Sequence, residues 1–511
     1  MIPPARSRLA RNVAANLGGQ LALLVTGLVA VKLVFGRLGP DALGILLFAQ
    51  TLNVVLAGVL DLGVSSITVR EVAAHAEDEP RYIHDLIRTA TTLYWAGFLV
   101  VAGSLLLAAP WIARHWIGLH AIDVRSATSM LQILGVASFT ALPRALYTSL
   151  FRGLQRMTFN NAIDAGTGLL QQLGTVLILA AGGSLFAVVN WLAAIYFLGL
   201  LAYLLLLSRL LPVAALLPGW SLAVVRRNAR FSAHMMSISA LSVAHTYVDK
   251  LVVSKLLPIA TLGPYAFAAS IVGRGALLTN AIADASYPSL SGLARLDDRT
   301  ALRAHYHRLQ ELVSYLTVPL YAGIVYLSLP LFNSLFGAAV SRSLLLPVAI
   351  LCLGSYLNAT LTVPYVYSLA VGKPQITSSL SLQAVFVVVP VTIASVAILG
   401  IAGASFGYLA YHLYLYAVGV PRYCRECLEI APSSWYRPVA AILTLAASTY
   451  GLGWLIASRL GRLGLPILAL AFAIASVAFV LAASRMIHPS LRELTRTLLG
   501  RPPAKRFRHA A

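Results

Sequence analysis

Apolar stretches of about 20 residues recur along the whole chain, and short breaks rich in arginine, glycine and proline separate them. A helix rises about 1.5 Å per residue, so about 20 such residues cross a bilayer core. The pattern predicts spans near 13–35, 43–66, 90–110, 128–150, 159–181, 185–207, 231–256, 262–287, 312–333, 343–369, 376–399, 402–420, 438–457 and 465–484. The predicted fold class is an all-α polytopic membrane protein with fourteen transmembrane helices.

Composition agrees with this. Of 511 residues, 59% are hydrophobic and 11% charged; a soluble domain carries about 25% charged residues. A water-soluble enzyme, a disordered chain and a secreted disulfide scaffold are excluded. The three cysteines, Cys352, Cys424 and Cys427, form no disulfide framework, and Cys424-x-x-Cys427 lacks the second pair that a zinc site needs. Basic Met1 to Arg11 is followed by a full span without a small-residue cleavage site, so no signal peptide is expected.

The net charge of +21 suggests nucleic acid at first, but no large water-facing domain is left to carry a basic face. With the N-terminus in the cytoplasm, 27 of the 38 Lys and Arg fall on cytoplasmic segments, six outside and five within spans. That asymmetry supports fourteen spans with both termini cytoplasmic, because one missed helix would invert every later loop. The basic tail would meet anionic lipid headgroups. The outer loops are short, the longest near 111–126. There is no phosphate-binding G-x-x-x-x-G-K-[ST] loop and no H-E-x-x-H. A transporter, not an enzyme, is expected, without a cofactor.

Leu38-Gly39-Pro40-Asp41-Ala42 matches Leu262-Gly263-Pro264-Tyr265-Ala266 at an offset of 224, pairing spans 1 and 2 with 7 and 8. Two parallel six-helix halves with a substrate path between them are a transporter plan. The expected organisation is an N-terminal half at 1–210, a cytoplasmic linker at 211–228, a C-terminal half at 229–430, an extra helix pair at 431–486 and a basic cytoplasmic tail at 487–511.

Charge in hydrocarbon is expensive, so each charge within a span is a functional candidate. The bases are Lys32, Arg144, Lys250, Lys255 and Arg274; the acids are Asp61, Asp164, Asp249 and Asp284. Several lie on polar helix faces: Gln50, Asn53, Asp61 and Ser65; Asn160, Asp164, Thr167 and Gln171; Ser242, His245 and Asp249; Ser270, Arg274 and Asp284; Asn12, Asn16 and Gln20. Each has a plainer reading. Lys32 and Lys255 can snorkel to the outer surface. Asp61 can cap a helix or pair with Arg70, and Asp249 can pair with Lys250. His245 and the tyrosines at 365, 367, 408, 411, 414 and 416 can be packing groups. Arg274, about a dozen residues from either end of its span, cannot snorkel easily. Arg144 follows Pro143, where a broken helix would set it beside a cavity. A cationic interior attracts an anion, and a lipid-diphosphate headgroup fits bases of this kind.

Asn16 through Gln20, Leu38-Gly39-Pro40, Asp61-Leu62-Gly63-Val64-Ser65, Arg70-Glu71-Val72-Ala73, Phe151-Arg152-Gly153-Leu154-Gln155-Arg156-Met157, and Asp249 followed by Leu262-Gly263-Pro264-Tyr265 resemble Wzx-type polysaccharide flippases of the MOP exporter superfamily. The resemblance runs over about residues 10–300 and is weaker beyond. It implies two six-helix bundles in a V around a central cavity, with alternating access. It implies export of a polyprenyl-diphosphate-linked oligosaccharide for surface polysaccharide synthesis. The partners implied are that glycan, membrane lipids, and the polysaccharide polymerase with other assembly proteins. On this reading Arg274, Arg144, Lys250, Lys32 and Lys255 bind substrate, and Asp249 or Asp61 couples transport to a proton or sodium gradient. A peptidoglycan-precursor flippase and a multidrug exporter of the same superfamily stay as alternatives.

Overall fold

The computed structural model describes residues 19–20, 22–61, 63–75, 77–296, 299–459 and 464–486. The N-terminal bases Arg6, Arg8 and Arg11, the stripe residues Asn12 and Asn16, Leu62, and the basic tail at 487–511 lie outside them. Among the described residues there is no strand; an isolated bridge joins Gly118 to Pro258. Eleven helices are long and apolar enough to cross a membrane. The first, seventh and twelfth expected spans are helical too, at 22–38, 222–256 and 406–423, so fourteen is compatible with the structure. The chain is a multi-pass membrane protein.

The chain divides into two compact units, Met1–Ala266 and Phe267–Ala511. This is a division by packing, whereas the expected halves parting at 211–228 are a division by sequence repeat. In the first unit α1 spans 22–38, followed by α2 (Pro40–Leu60), α3 (Val64–His75), α4 (Pro80–Trp111), α5 (Val124–Ser138), α6 (Ala141–Gly153), α7 (Met157–Ala180), α8 (Leu185–Leu207), the short α9 (Val213–Leu216) and α10 (Leu222–Leu256). α11 (Ile259–Gly273) crosses the division. Leu86, Tyr94, Leu146, Tyr147, Phe151 and Tyr203 form the core where α4, α6 and α8 meet. Outward faces carry exposed Leu99, Val100, Leu107 and Leu177, which suits a lipid solvent and no other.

Two sites of close backbone approach fix α10 and α11 within this unit. A Cβ on Gly44 of α2 would stand 2.2 Å from the Ile259 carbonyl oxygen, and one on Gly263 would stand 2.8 Å from Leu43 Cγ. The first turns of α2 and α11 therefore pack closely, through Leu43-Gly44 and Ile259 to Gly263. The matched Leu-Gly-Pro segments do not open their helices alike: Pro40 begins α2, while Pro264 lies inside α11, which starts at Ile259. Gly63, at φ +71°, separates α2 from α3, and a Cβ there would lie 2.6 Å from Met235 Cβ of α10. Both the left-handed turn and the packing demand glycine.

The second unit continues with α12 (Ala276–Arg295), α13 (Arg299–Phe336), α14 (Ala338–Ala370), α15 (Gln375–Leu399), α16 (Phe406–Tyr414), α17 (Val420–Tyr423), α18 (Pro432–Ala446), α19 (Leu452–Arg459) and α20 (Leu465–Ala483). α14 is the central helix, with Val348, Leu351, Tyr356 and Thr360 all buried. The extra helix pair docks on α13: Tyr315 stacks on Phe479, and the Tyr326 hydroxyl donates to the Tyr450 carbonyl.

Candidate functional site

Two helix breaks place charge inside the first unit. α2 ends at Asp61 and α3 begins at Val64, whose amide donates to the Asp61 carbonyl at 2.9 Å. α5 and α6 part at Phe139-Thr140, so Pro143 falls in the first turn of α6, where its missing N–H costs no helical bond. Arg144 follows it. α3 and α6 then enclose a cavity of about 360 Å³ lined by Ser65, Ser66, Arg144, Thr148, Ser149 and Arg152. The broken helix expected from Pro143 thus sets Arg144 beside a cavity.

Arg144 does not project alone. Its Nη2 donates to Asp164 Oδ1 of α7 at 2.5 Å, and the Tyr203 hydroxyl of α8 donates to the same oxygen at 2.9 Å. The guanidinium also lies 5.4 Å from the Tyr203 ring centroid. Asp61, which does not line the cavity, accepts from Tyr94 Oη at 2.5 Å and from Ser65 Oγ, a lining residue. Ser65 and Tyr94 are themselves 2.7 Å apart. Asp61 does not pair with Arg70, whose Nε donates instead to Glu71 at 2.8 Å. Among the described residues no base pairs with Asp61.

Asp249, on α10, is different. Its carboxylate is 5% exposed, lies 3.1 Å from Lys250 Nζ through both oxygens, and accepts from Tyr265 Oη at 2.6 Å. Lys250 also donates to the Thr246 carbonyl at 3.2 Å. This cluster does not line the α3–α6 cavity. His245 Nδ1 lies 2.9 Å from the Leu241 carbonyl, a packing contact along its own helix.

The remaining expected bases take three separate positions. Lys255 is exposed, donates to the His115 carbonyl at 2.5 Å and lies 5.4 Å from the Trp116 ring. Nearby, Trp116 Nε1 donates to Ser254 at 3.1 Å, and buried Asp41 accepts from the amides of His120 at 3.0 Å and Ala121 at 2.6 Å. Lys32 is exposed, with no acidic partner among the described residues. Arg274 belongs to the second unit and is also exposed without an acidic partner among the described residues. It does not sit in mid-helix as expected: the helix breaks at Arg274-Gly275, between α11 and α12.

Sequence reasoning missed the tyrosines. Each of the three aspartates that the sequence places within spans of the first unit takes a phenol hydroxyl from a neighbouring helix: Asp61 from Tyr94, Asp164 from Tyr203, Asp249 from Tyr265. It also missed the network at the other end of the helices. There buried Glu71 accepts from Arg70 and from Tyr82 at 3.0 Å, Asn228 of α10 donates to Tyr82 at 2.9 Å, and Arg227 donates to Glu79 at 2.8 Å. The Arg227 guanidinium holds the exposed Glu79 carboxyl below its ordinary range.

A family model described as "Polysaccharide biosynthesis protein" matches residues 35–343, more than half of the chain. No curated protein sequence matches it. Among solved structures the chain is similar to an inward-facing multidrug resistance MATE family transporter of the MOP superfamily, with TM-score 0.66 and 13% identity over 80% of this chain and 95% of that one. It is similar to the lipid II flippase MurJ in an inward closed conformation, with TM-score 0.65 and 12% identity over 94% of this chain and 100% of that one. A MOP superfamily transporter from Pyrococcus furiosus, whose binding pocket is described as reversed in polarity, aligns with TM-score 0.52 and 14% identity over 81% of this chain and 94% of that one. At these identities the likeness shows the fold alone.

Proposed function

The chain belongs to the polysaccharide biosynthesis protein family, on a fold of membrane transporters rather than enzymes, and from that premise we propose that it is a flippase for a polyprenyl-diphosphate-linked oligosaccharide. The cargo passes from the inner to the outer leaflet of the plasma membrane by alternating access. One observation carries the choice of an anionic headgroup. Acids within the spans of the first unit are matched by base or hydroxyl, while Lys32 and Arg274 have no acidic partner among the described residues. A bare base near hydrocarbon costs roughly 3 kcal/mol on insertion scales, and a diphosphate supplies the missing counter-charge.

Arg274 is the primary phosphate ligand in this proposal. Arg144 joins by exchanging Asp164, whose side chain is 52% exposed, for a phosphate oxygen. Lys250 contributes less, because Asp249 already holds it from both oxygens. Lys32 and Lys255 meet the headgroup on its way out. Asp61, with hydroxyl partners and no base, is the better coupling carboxylate for a proton or sodium ion. The prenyl tail stays in lipid.

The test is made in cells that lack the gene. Polyprenyl-linked glycan is extracted, and its accessibility to glycosidases added from outside is measured. A complete repeat unit accumulating on the inner leaflet is the expected result, restored to the surface by the wild-type chain and not by Arg274→Ala at equal membrane abundance. Normal surface glycan without accumulation, or full rescue by Arg274→Ala, overturns the cargo or the residue respectively.

A further inference from the structure

The second unit holds a pocket lined by four bases, none of which the transport proposal above employs. Its volume is about 430 Å³, within the roughly 300–1,000 Å³ of small-ligand sites. Three neighbouring segments build it from separate parts of the chain: the end of α12 with the start of α13, the turn from α14 to α15, and the tight helical turn at Cys424–Leu428. The first brings Arg295, Arg299 and Arg303; the second brings Lys373; the third brings Glu426 and, just beyond it, Glu429.

The four bases face two carboxylates, and both carboxylates are already engaged. Glu429 accepts from Arg299 and, at 2.8 Å, from Arg303 Nη2. These arginines hold its carboxyl below the ordinary range, so it stays charged. Glu426 accepts at 2.6 Å from Arg422, which lies outside the pocket lining. Lys373 Nζ donates to a neutral acceptor, the Glu426 carbonyl. Arg295 is exposed and has no acidic partner among the described residues. Arg295 and Lys373 therefore face the pocket without a carboxylate partner among the described residues. Glu429 stands in the left-handed region at φ +53°, where a side chain is strained, and from there it spans both arginines. It fixes the two guanidinium planes beside an opening that two further bases overlook. Guanidinium forks fixed in this way, with a lysine beside them, match phosphate oxygens.

We propose that this pocket binds a phosphate-bearing anion, a phosphomonoester or diphosphate, at the membrane face formed by these turns. On the orientation proposed from the Lys/Arg bias that face is cytoplasmic, where basic pockets between helices take anionic lipid headgroups and where soluble phosphates are abundant. The site stands independently of the cargo, since none of its residues serves the transport reading.

The experiment uses the purified full chain in detergent, stripped of lipid and titrated with inorganic pyrophosphate by calorimetry. Saturable binding is expected. Arg295→Ala and Lys373→Ala should each weaken it about tenfold, the scale of one lost charge-assisted bond. Glu429→Gln, which removes one carboxylate charge from beside Arg299 and Arg303, should tighten it several-fold. Melting temperatures without ligand check that each variant is folded; exposed Arg295 is the position least able to disturb the fold. A second arm identifies the source. The protein in nanodiscs of phosphatidylcholine with phosphatidic acid is examined by native mass spectrometry. Phosphatidic acid retained by wild type and lost from Arg295→Ala identifies a lipid headgroup; pyrophosphate binding without lipid retention identifies a soluble anion. Absence of saturable binding in both arms, or binding equal in wild type and all three variants, overturns the proposal.

Discussion

Asp61 and Asp249 look interchangeable in sequence: each lies within a span, on a polar face, in the first unit. Their surroundings differ in one respect. Asp249 has a base beside it on its own helix and a phenol above it, so its charge is balanced where it lies. Asp61 sits at a helix break and has only hydroxyls, from Ser65 and Tyr94. Hydroxyls stabilise a carboxylate without neutralising it, so the charge of Asp61 has no base to match it among the described residues. A balanced pair holds helices together; the unmatched carboxylate is the one left to meet a coupling ion in the proposed cycle.

The largest expected effect is on coupling. Asp61→Asn should abolish dependence of transport on a proton or sodium gradient in proteoliposomes, whereas Asp249→Asn should leave it; the reverse outcome breaks the comparison. Next is stability. Lys250→Ala strands a buried carboxylate and should cost about 3–5 kcal/mol in melting experiments, with the Asp249→Asn, Lys250→Ala double variant recovering most of it. Smaller is the loss of each phenol. Tyr94→Phe should cost about 2 kcal/mol and Tyr265→Phe about 1 kcal/mol, because Asp249 keeps its lysine while Asp61 keeps only Ser65. Equal losses would show that the lysine adds nothing. Smallest is the exposed pair at the other end of α10. Glu79 titrates below its ordinary value of 4.5 when folded. The stabilisation from Arg227 is therefore complete above that pH and lost as pH falls through the lowered value, and Glu79→Gln should erase this step from a melting-versus-pH profile.

Much of this was legible in the chain. Spans and basic loops follow from composition over windows of 20 residues, where single errors average out. The break before Arg144 was readable from Pro143, a residue that dictates backbone by itself. The partners of the charges were not readable, except Lys250 beside Asp249, because they lie on other helices. Tyr203 stands 39 residues from Asp164, and no periodicity links the two. Arg274 was placed in mid-helix because its surroundings are uniformly apolar. The helix breaks there, at Arg274-Gly275 after Gly273, and only tertiary packing decides whether such glycines are helical. Arg144 read as a free base for the same reason, its neutralising Asp164 being one helix away.

The spacing of the aspartate–tyrosine pairs bears on how the protein is made. Each aspartate precedes its tyrosine, by 33 residues for Asp61, 39 for Asp164 and 16 for Asp249. At a synthesis rate of about 5–20 residues per second, the phenol leaves the ribosome within a few seconds of the carboxylate it will meet. No aspartate has to wait in the insertion machinery for a distant part of the chain. Asp249, the deepest buried of the three, emerges in company with Lys250 as the next residue and has the shortest wait of all. Transposing α8, with Tyr203, to the end of the gene would leave the sequence content unchanged, yet Asp164 would enter the translocon with Arg144 and without its phenol. Membrane insertion of that span is the step expected to fail.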